Sequence, residues 1–320
     1  MPYSLGLAAA SGAVTLAITP AVRELAVRVG ALDQPGPRRV HAVATPRFGG
    51  LGMAVAVLGV AWLARVLPGP ARELDMRPLI GLTCASLPVL ALGVLDDLGS
   101  VGPWVKLLIQ ACAALTLTVI WVVVLTNAIN LIDGLDGLAA GVVAIACGAL
   151  WVTGREHGDF YVMFLSANLL GACGGFFVWN RPPARIFMGD TGSQFLGLTL
   201  SAISLLENRK GTAALTLLLP LVALGVPLAD GALAFVRRLV RGRPVFRGDA
   251  GHIHHRLLYA GLSPEATLGV LWTFSALFGG AAILLDREPH VWTLLMVMGL
   301  AVVLFGVLIA ARHRARNRRD

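Results

Sequence analysis

The sequence predicts an all-α polytopic membrane protein of roughly 10–11 transmembrane helices, with its polar chemistry held in the loops between them. Three observations predict it. The chain is 57% hydrophobic and only 14% charged, with a mean hydropathy of +0.77, far from the quarter of charged residues usual in soluble domains. Uncharged stretches close to the ~20 residues needed to cross a bilayer recur along almost all of the 320 residues. The charges that remain collect in short segments between those stretches, so no room is left for a large soluble domain.

The elements follow in order. Residues 4 to 22 form a first span, retained rather than cleaved, because the first basic residue, Arg23, lies beyond the apolar run instead of before it. A basic loop holding Arg28, Arg38, Arg39, His41 and Arg47 leads to spans at 48 to 66 and 78 to 95. Asp96 and Asp97 follow directly. A further apolar run extends from Trp104 to Ile132, then spans at 138 to 153 and 160 to 179 lead to the Pro- and Gly-rich segment from Asn180 to Gly192. Spans at 193 to 206 and 212 to 234, a basic loop from Arg237 to Arg256, and spans at 266 to 285 and 291 to 310 complete residues 1–311 as one domain, followed by a basic tail, 312–320. Cys84, Cys112, Cys147 and Cys173 all lie in apolar runs, which suits small core residues and neither a disulfide framework nor a zinc site.

Between Lys106 and Asp133 no residue is charged, a stretch longer than one crossing and shorter than two ordinary ones. The distribution of Lys and Arg decides its parity. If the run crosses twice or dips back, 19 of the 26 basic residues fall on the cytoplasmic side, whereas a single crossing leaves ten there. The even arrangement therefore holds, and the net charge of +8 expresses this inside bias rather than affinity for nucleic acid. All acidic clusters then emerge on the cytoplasmic face.

Four polar clusters meet there: Asp96-Asp97; Asn127, Asn130, Asp133 and Asp136; Asn180 to Asp190; and His252-Ile-His-His-Arg256. The second is spaced in threes, a step that on a helix turns each side chain only about 60°, so the four share one broad face until Gly134 and Gly137 open a turn. Helix capping or solvated turns would account for any one cluster. Four on one face of a chain with only 18 acidic residues describe a site. Carboxylates without Cys ligands suit a hard cation such as Mg²⁺, which in turn serves phosphates. A His/Arg loop suits a diphosphate, with Arg256 able to bind two oxygens at once. The amides of Asn127, Asn130 and Asn180 and the ring of Phe187 suit a base and a ribose. The composite is metal-assisted phosphoryl transfer at a membrane surface, with a lipid as the second substrate.

Asp96-Asp97, Asn127-x-x-Asn-x-x-Asp-Gly-Leu-Asp-Gly-Leu, Phe187-Met-Gly-Asp-Thr-Gly-Ser and His252-Ile-His-His-Arg-Leu, in this order, resemble the polyprenyl-phosphate N-acetylhexosamine-1-phosphate transferases. The likeness extends from Arg38-Arg-Val-His and Pro46-Arg-Phe-Gly-Gly to Leu257. It implies transfer of a sugar 1-phosphate from a UDP-sugar to a polyprenyl phosphate such as undecaprenyl phosphate, with release of UMP, in a first membrane step of cell-envelope glycan synthesis. The His-Ile-His-His-Arg form resembles the branch that uses UDP-N-acetylglucosamine. The branch that makes the peptidoglycan precursor from UDP-N-acetylmuramoyl-pentapeptide usually carries a Pro-x-His-His-His form, and is the runner-up; a secondary transporter is the alternative of another class.

Residue by residue, the resemblance implies Mg²⁺, or Mn²⁺ in its place, on Asp97 and Asp190, with Asp96 assisting the metal or deprotonating the lipid phosphate. Asn130, Asp133, Asp136 and Phe187 would line the nucleoside end. Asn127 and Asn180 would lie nearer the phosphates and sugar, His252, His254, His255 and Arg256 would meet the diphosphate and sugar, and Arg47, with His41, would border the cleft. It places the protein in the inner (plasma) membrane with its site cytoplasmic, in a family where homodimers are common. The chain departs from the family after Trp104, where two full spans usually precede the Asn/Asp cluster.

Overall fold

An apolar run without helix breakers, surrounded by lipid, satisfies its backbone only as helix, and every long apolar run in the described part of the chain is one. The structure is a computed structural model and describes residues 2–34, 43–99, 101–102, 105, 118–207, 225, 253–287, 292, 295–300, 302–304 and 306–307. The long helices are α1 (Pro2–Arg28), α2 (Gly49–Val66), α3 (Met76–Leu98), α4 (Thr118–Ile132), α5 (Leu138–Glu156), α6 (Phe160–Asn180), α7 (Gly189–Glu207) and α9 (Pro264–Arg287), with the short α8 (Ile253–Tyr259) before the last. Six of these are long and apolar enough to cross a membrane, and Trp121–Ile132 and Leu295–Leu304 are shorter apolar helices. The span expected at 212 to 234 and the basic tail lie outside the described residues.

Helices α1 and α6 approach backbone to backbone. A Cβ added at Gly171 would stand 1.9 Å from the Ala8 carbonyl oxygen, and one at Gly175 would stand 2.1 Å from that of Gly12. Small residues allow this contact, which in lipid replaces the hydrophobic drive that water supplies elsewhere. Thr15 and Thr19 return their hydroxyls to the carbonyls of Ser11 and Thr15 on the same helix, so burial costs them no hydrogen bond. Helices α5 and α6 form an antiparallel pair whose turn is closed by Asp159, which accepts the N–H groups of Tyr161 and Val162. At that same end Glu156 pairs with Arg287 and His157 with Asp286, fastening α5 to α9. Helix α7 packs against α2, α3, α4, α5 and α6 and so forms the centre of the bundle.

Three helices run further than the hydropathy alone indicates. Helix α1 continues to Arg28, which places Arg23 and Arg28 on helix rather than in a loop. Helix α3 continues to Leu98, so Asp96 and Asp97 occupy its last turn instead of following it. Helix α7 begins at Gly189, four residues before the expected start, despite two glycines in its first turn. All three extensions lie at the end of the bundle where the polar clusters gather. Two residues on each side of the loop after α1 make a minimal antiparallel ladder, β1 (Leu32–Asp33) and β2 (Thr45–Pro46), with Leu32 opposite Pro46 and Asp33 opposite Thr45. Cys147 and Cys173 are buried in the core as expected, whereas Cys84 faces outward.

Candidate active site

Asp97 explains the early start of α7. Its Oδ1 accepts the N–H of Asp190 at 2.9 Å, and its Oδ2 accepts both the N–H and the hydroxyl of Thr191, at 3.2 and 2.7 Å. A carboxylate from the end of α3 thus caps the first turn of α7 across the helix interface, supplying acceptors to N–H groups that a helix start leaves unpaired. The side chain is only 6% exposed. Close approach makes this geometry possible. Gly189 has φ +70°, and a Cβ there would lie 2.3 Å from Asp97 Oδ2; at Gly93, one turn back along α3, a Cβ would lie 2.3 Å from Thr191 Cα.

Helix α4 delivers Asn130, whose Nδ2 donates to Asp190 Oδ1 at 3.1 Å and to the Ser193 hydroxyl at 2.8 Å. The helix ends at Ile132, and residues 133–137 turn into α5 through Gly137 at φ +75°. Asn180 fastens this turn to the next segment. It is 2% exposed, accepts the Gly137 N–H at 2.9 Å, and donates to the Ile186 carbonyl at 2.9 Å. Asp136 Oδ2 accepts the Ala184 N–H at 2.8 Å. On the far side of the Arg181–Met188 segment, Phe187 donates its N–H to Pro46 O at 2.8 Å and accepts from Gly49 N at 2.9 Å, while Gly50 N donates to Met188 O. The Pro46-Arg-Phe-Gly-Gly50 stretch is therefore zipped to the segment that carries Phe187 and Asp190.

These segments enclose a cleft of about 280 Å³ lined by Asp33, Arg47, Asp97, Asn130, Asp133, Gly134, Leu135, Asp136, Asn180, Phe187, Gly189, Asp190 and His255. Asp97 and Asp133 thus share one cavity, so the run between them begins and ends on the same face, as the charge distribution requires. Whether residues 106–117 cross twice or dip lies outside the described residues. Burial, together with the charges of Asp190, Asp97 and Asp136, holds the Asp133 carboxyl well above the usual carboxylate range, and the positive charge of Arg47 only partly offsets this. Carboxylates of this kind are the side chains that could hold a hard cation. Among the described residues no three His, Cys, Asp or Glu side chains are placed to enclose a metal. A pair of carboxylates, with the remaining positions left to phosphate oxygens, is the arrangement that suits Mg²⁺.

Not every expected residue joins the cleft. Asn127 is exposed and donates to Val123 O on its own helix, because one further three-residue step turns it out of the sector that Asn130 occupies. Asp96 is half-buried and accepts the Val101 N–H at 2.7 Å, which directs one carboxylate oxygen to the chain leaving α3. His254 is 2% exposed, its ring against Gly134, while His255 lines the cleft, 4.3 Å from the His254 ring centre. Arg256 is half-buried and does not line the cleft; His252, His41 and the basic loop before Ile253 lie outside the described residues. Asp33 is the lining residue that the sequence reading missed. Nothing in its local sequence marks it, since its place in the cleft is set by the short ladder that brings it beside Arg47.

Gly134 sets the position of the histidine pair. A Cβ there would come within 2.6 Å of His254 Nε2. Gly134→Ala is expected to push α8 away and to lower the thermal midpoint by an amount corresponding to about 1–3 kcal/mol. Thermal unfolding in detergent checks it, with an unchanged midpoint contradicting the contact.

Comparison with known proteins agrees with this geometry. The model of glycosyl transferase family 4 matches residues 112–208. The chain is 35% identical to the probable undecaprenyl-phosphate N-acetylglucosaminyl 1-phosphate transferase of Bacillus subtilis, over 92% of this chain and 87% of that protein. It is 33% identical to the decaprenyl-phosphate N-acetylglucosaminephosphotransferase of Mycobacterium tuberculosis, over 95% of this chain and 87% of that one. Likeness to the phospho-N-acetylmuramoyl-pentapeptide-transferase of Halalkalibacterium halodurans, at 35% identity, covers only 54% of this chain and 51% of the relative. The alignment with the Bacillus protein extends over 322 positions although 92% of 320 residues take part, so that relative carries residues this chain lacks. With near full-length identity of this order and the matching motifs gathered in one cleft, the chain belongs to glycosyl transferase family 4, among the polyprenyl-phosphate N-acetylhexosamine-1-phosphate transferases.

Proposed function

We propose that the protein transfers N-acetylglucosamine 1-phosphate from UDP-N-acetylglucosamine to a polyprenyl phosphate on the cytoplasmic side of the plasma membrane, releasing UMP. The observation that carries this reading is the single cleft in which Asp97, Asn130, Asp133, Asp190, Arg47 and His255 converge at one end of a bundle of apolar helices. A soluble nucleotide reaches such a cleft from water, and a lipid phosphate reaches it from the membrane border.

The reaction needs positioning and charge neutralisation more than covalent chemistry. An oxygen of the lipid phosphate attacks the β-phosphorus of the nucleotide sugar, and the bond from that phosphorus to the bridging oxygen breaks. UMP leaves with the electron pair, and the lipid retains both its own phosphate and the sugar 1-phosphate. Phe187 and the turn from Asp133 to Asp136 form the nucleoside end, Arg47 supplies positive charge beside them, and His255 faces the diphosphate and sugar. Asp190, oriented by Asn130, and Asp97 would hold Mg²⁺, which when bound supplies the positive charge that the developing anion requires. Asp97 would do so through Oδ1, which accepts one hydrogen bond and keeps a second lone pair, while Oδ2 with its two donors caps α7.

Purified protein given Mg²⁺, undecaprenyl phosphate and a panel of UDP-sugars tests the reading. UMP release is expected with UDP-N-acetylglucosamine and not with UDP-N-acetylmuramoyl-pentapeptide, and a preference for the latter would favour the partly matching peptidoglycan branch. Absence of UMP with every UDP-sugar would overturn the transferase reading. His255→Ala is expected to raise KM for the nucleotide sugar by about tenfold while leaving KM for the lipid unchanged. Separate titrations of the two substrates check it.

A further inference from the structure

We propose that Asp33 is a positioning residue for the nucleotide, acting through Arg47, whose guanidinium it holds on the Phe187 side of the cleft. The inference rests on the transferase reading above and goes further in assigning a task to a residue that no motif marks. Asp33 is 8% exposed, lines the cleft, and forms an ion pair with Arg47 through Arg47 Nη2 and Asp33 Oδ1. The pairing is built into the backbone. Asp33 stands opposite Thr45 in the short ladder, and the N–H of Arg47, the residue after β2, donates to Ala31 O at 2.9 Å, so the backbone brings the two residues together at the cleft. Pro46 and Gly49, on either side of Arg47, are in turn bonded to the N–H and the carbonyl of Phe187.

Charge explains why such a strut is needed. Among the described residues lining the cleft, five are carboxylates, and Arg47 is the only one that carries a permanent positive charge. Asp133 already feels that charge. Without Asp33, the guanidinium is left to the other carboxylates that line the same cleft, Asp133 among them. Collapse onto them would fill the space meant for the nucleotide phosphates and the cation. Asp33 engages Arg47 through Nη2, which leaves the other N–H groups of the guanidinium for an anionic ligand.

The test is a double-mutant cycle on the purified full chain, with UMP binding measured by calorimetry and both KM values measured in the transfer assay. Asp33→Asn and Arg47→Gln are each expected to weaken UMP binding and to raise KM for UDP-N-acetylglucosamine by about tenfold, with KM for polyprenyl phosphate and the thermal midpoint unchanged. The double variant is expected to bind UMP no more weakly than Arg47→Gln alone, and Asp33→Glu is expected to recover part of the loss. Additive losses would show that Asp33 acts on the nucleotide independently of Arg47 and would overturn the proposal, as would unaltered UMP binding in Asp33→Asn. Failure of the wild-type protein to bind UMP or release it would instead overturn the transferase reading itself, so the two failures are distinguishable.

Discussion

Asp190→Asn is expected to lower the rate of UMP release by about a thousandfold or more while leaving the protein folded. In this structure Asp190 occupies the first turn of α7 with one oxygen accepting from Asn130, an interaction that an amide oxygen can preserve. What the substitution removes is the negative charge, and with it one of the two carboxylates proposed to hold Mg²⁺. Asp97→Asn is expected to abolish turnover too, but with a different signature. Asp97 receives three hydrogen bonds on two oxygens, and an amide nitrogen in place of either oxygen would face a donor. The loss of this cap is expected to cost about 1–3 kcal/mol of stability on top of the activity. Thermal unfolding beside the activity assay separates the two: an inactive Asp190→Asn with an unchanged midpoint, and an inactive Asp97→Asn with a lowered one. Wild-type turnover in either variant contradicts the assignment.

Gly50→Ala is expected to destabilise the protein by about 3 kcal/mol or more. The added Cβ would fall 2.0 Å from both the Cα and the N of Gly192, where the starts of α2 and α7 touch. Both partners are backbone, so neither can swing aside, and relief requires the two helices to separate. That separation would also break the hydrogen bonds from Gly49 and Gly50 to Phe187 and Met188 and displace Asp190. Gly59→Ala, on the same helix, is the control. No atom lies within 4 Å of its added Cβ, and replacing a helical glycine by alanine is expected to be neutral or stabilising by up to about 1 kcal/mol. Melting profiles of the two variants in the same detergent measure the contrast, and equal midpoints would contradict the described junction.

The contrast between these glycines shows what a sequence conveys and what it hides. Apolar runs announce helices because lipid permits little else, and the shared face of Asp97 and Asp133 was legible in the distribution of Lys and Arg. Asn130, Asp133, Asp136, Asn180, Asp190 and His255 were legible because polar groups at the ends of membrane helices are costly unless used, and Phe187 as the ring beside them. Asn127 belongs to the same triplet spacing as Asn130 yet faces outward, since a three-residue period drifts around a helix and the helix stops before the later members. Asp97 and Asn180 proved to be struts of the cleft wall as well as members of it, a double use set by partners 93 and 43 residues distant. Asp33 and the tight Gly93 carry no local signal, and the motifs that hold Gly50 and Gly189 do not reveal their close approaches, because these roles are fixed by what the fold brings against them.

The most direct measurement follows the β-phosphate. Purified protein is supplied with undecaprenyl phosphate, Mg²⁺ and UDP-N-acetylglucosamine carrying ³²P at the β position, and the lipid and water phases are counted. Transfer of the sugar 1-phosphate puts the label into the lipid in equal amount to the UMP released. Label that stays in water while sugar enters the lipid would mean that UDP is the leaving group, and the phosphoryl-transfer account of this cleft would be wrong.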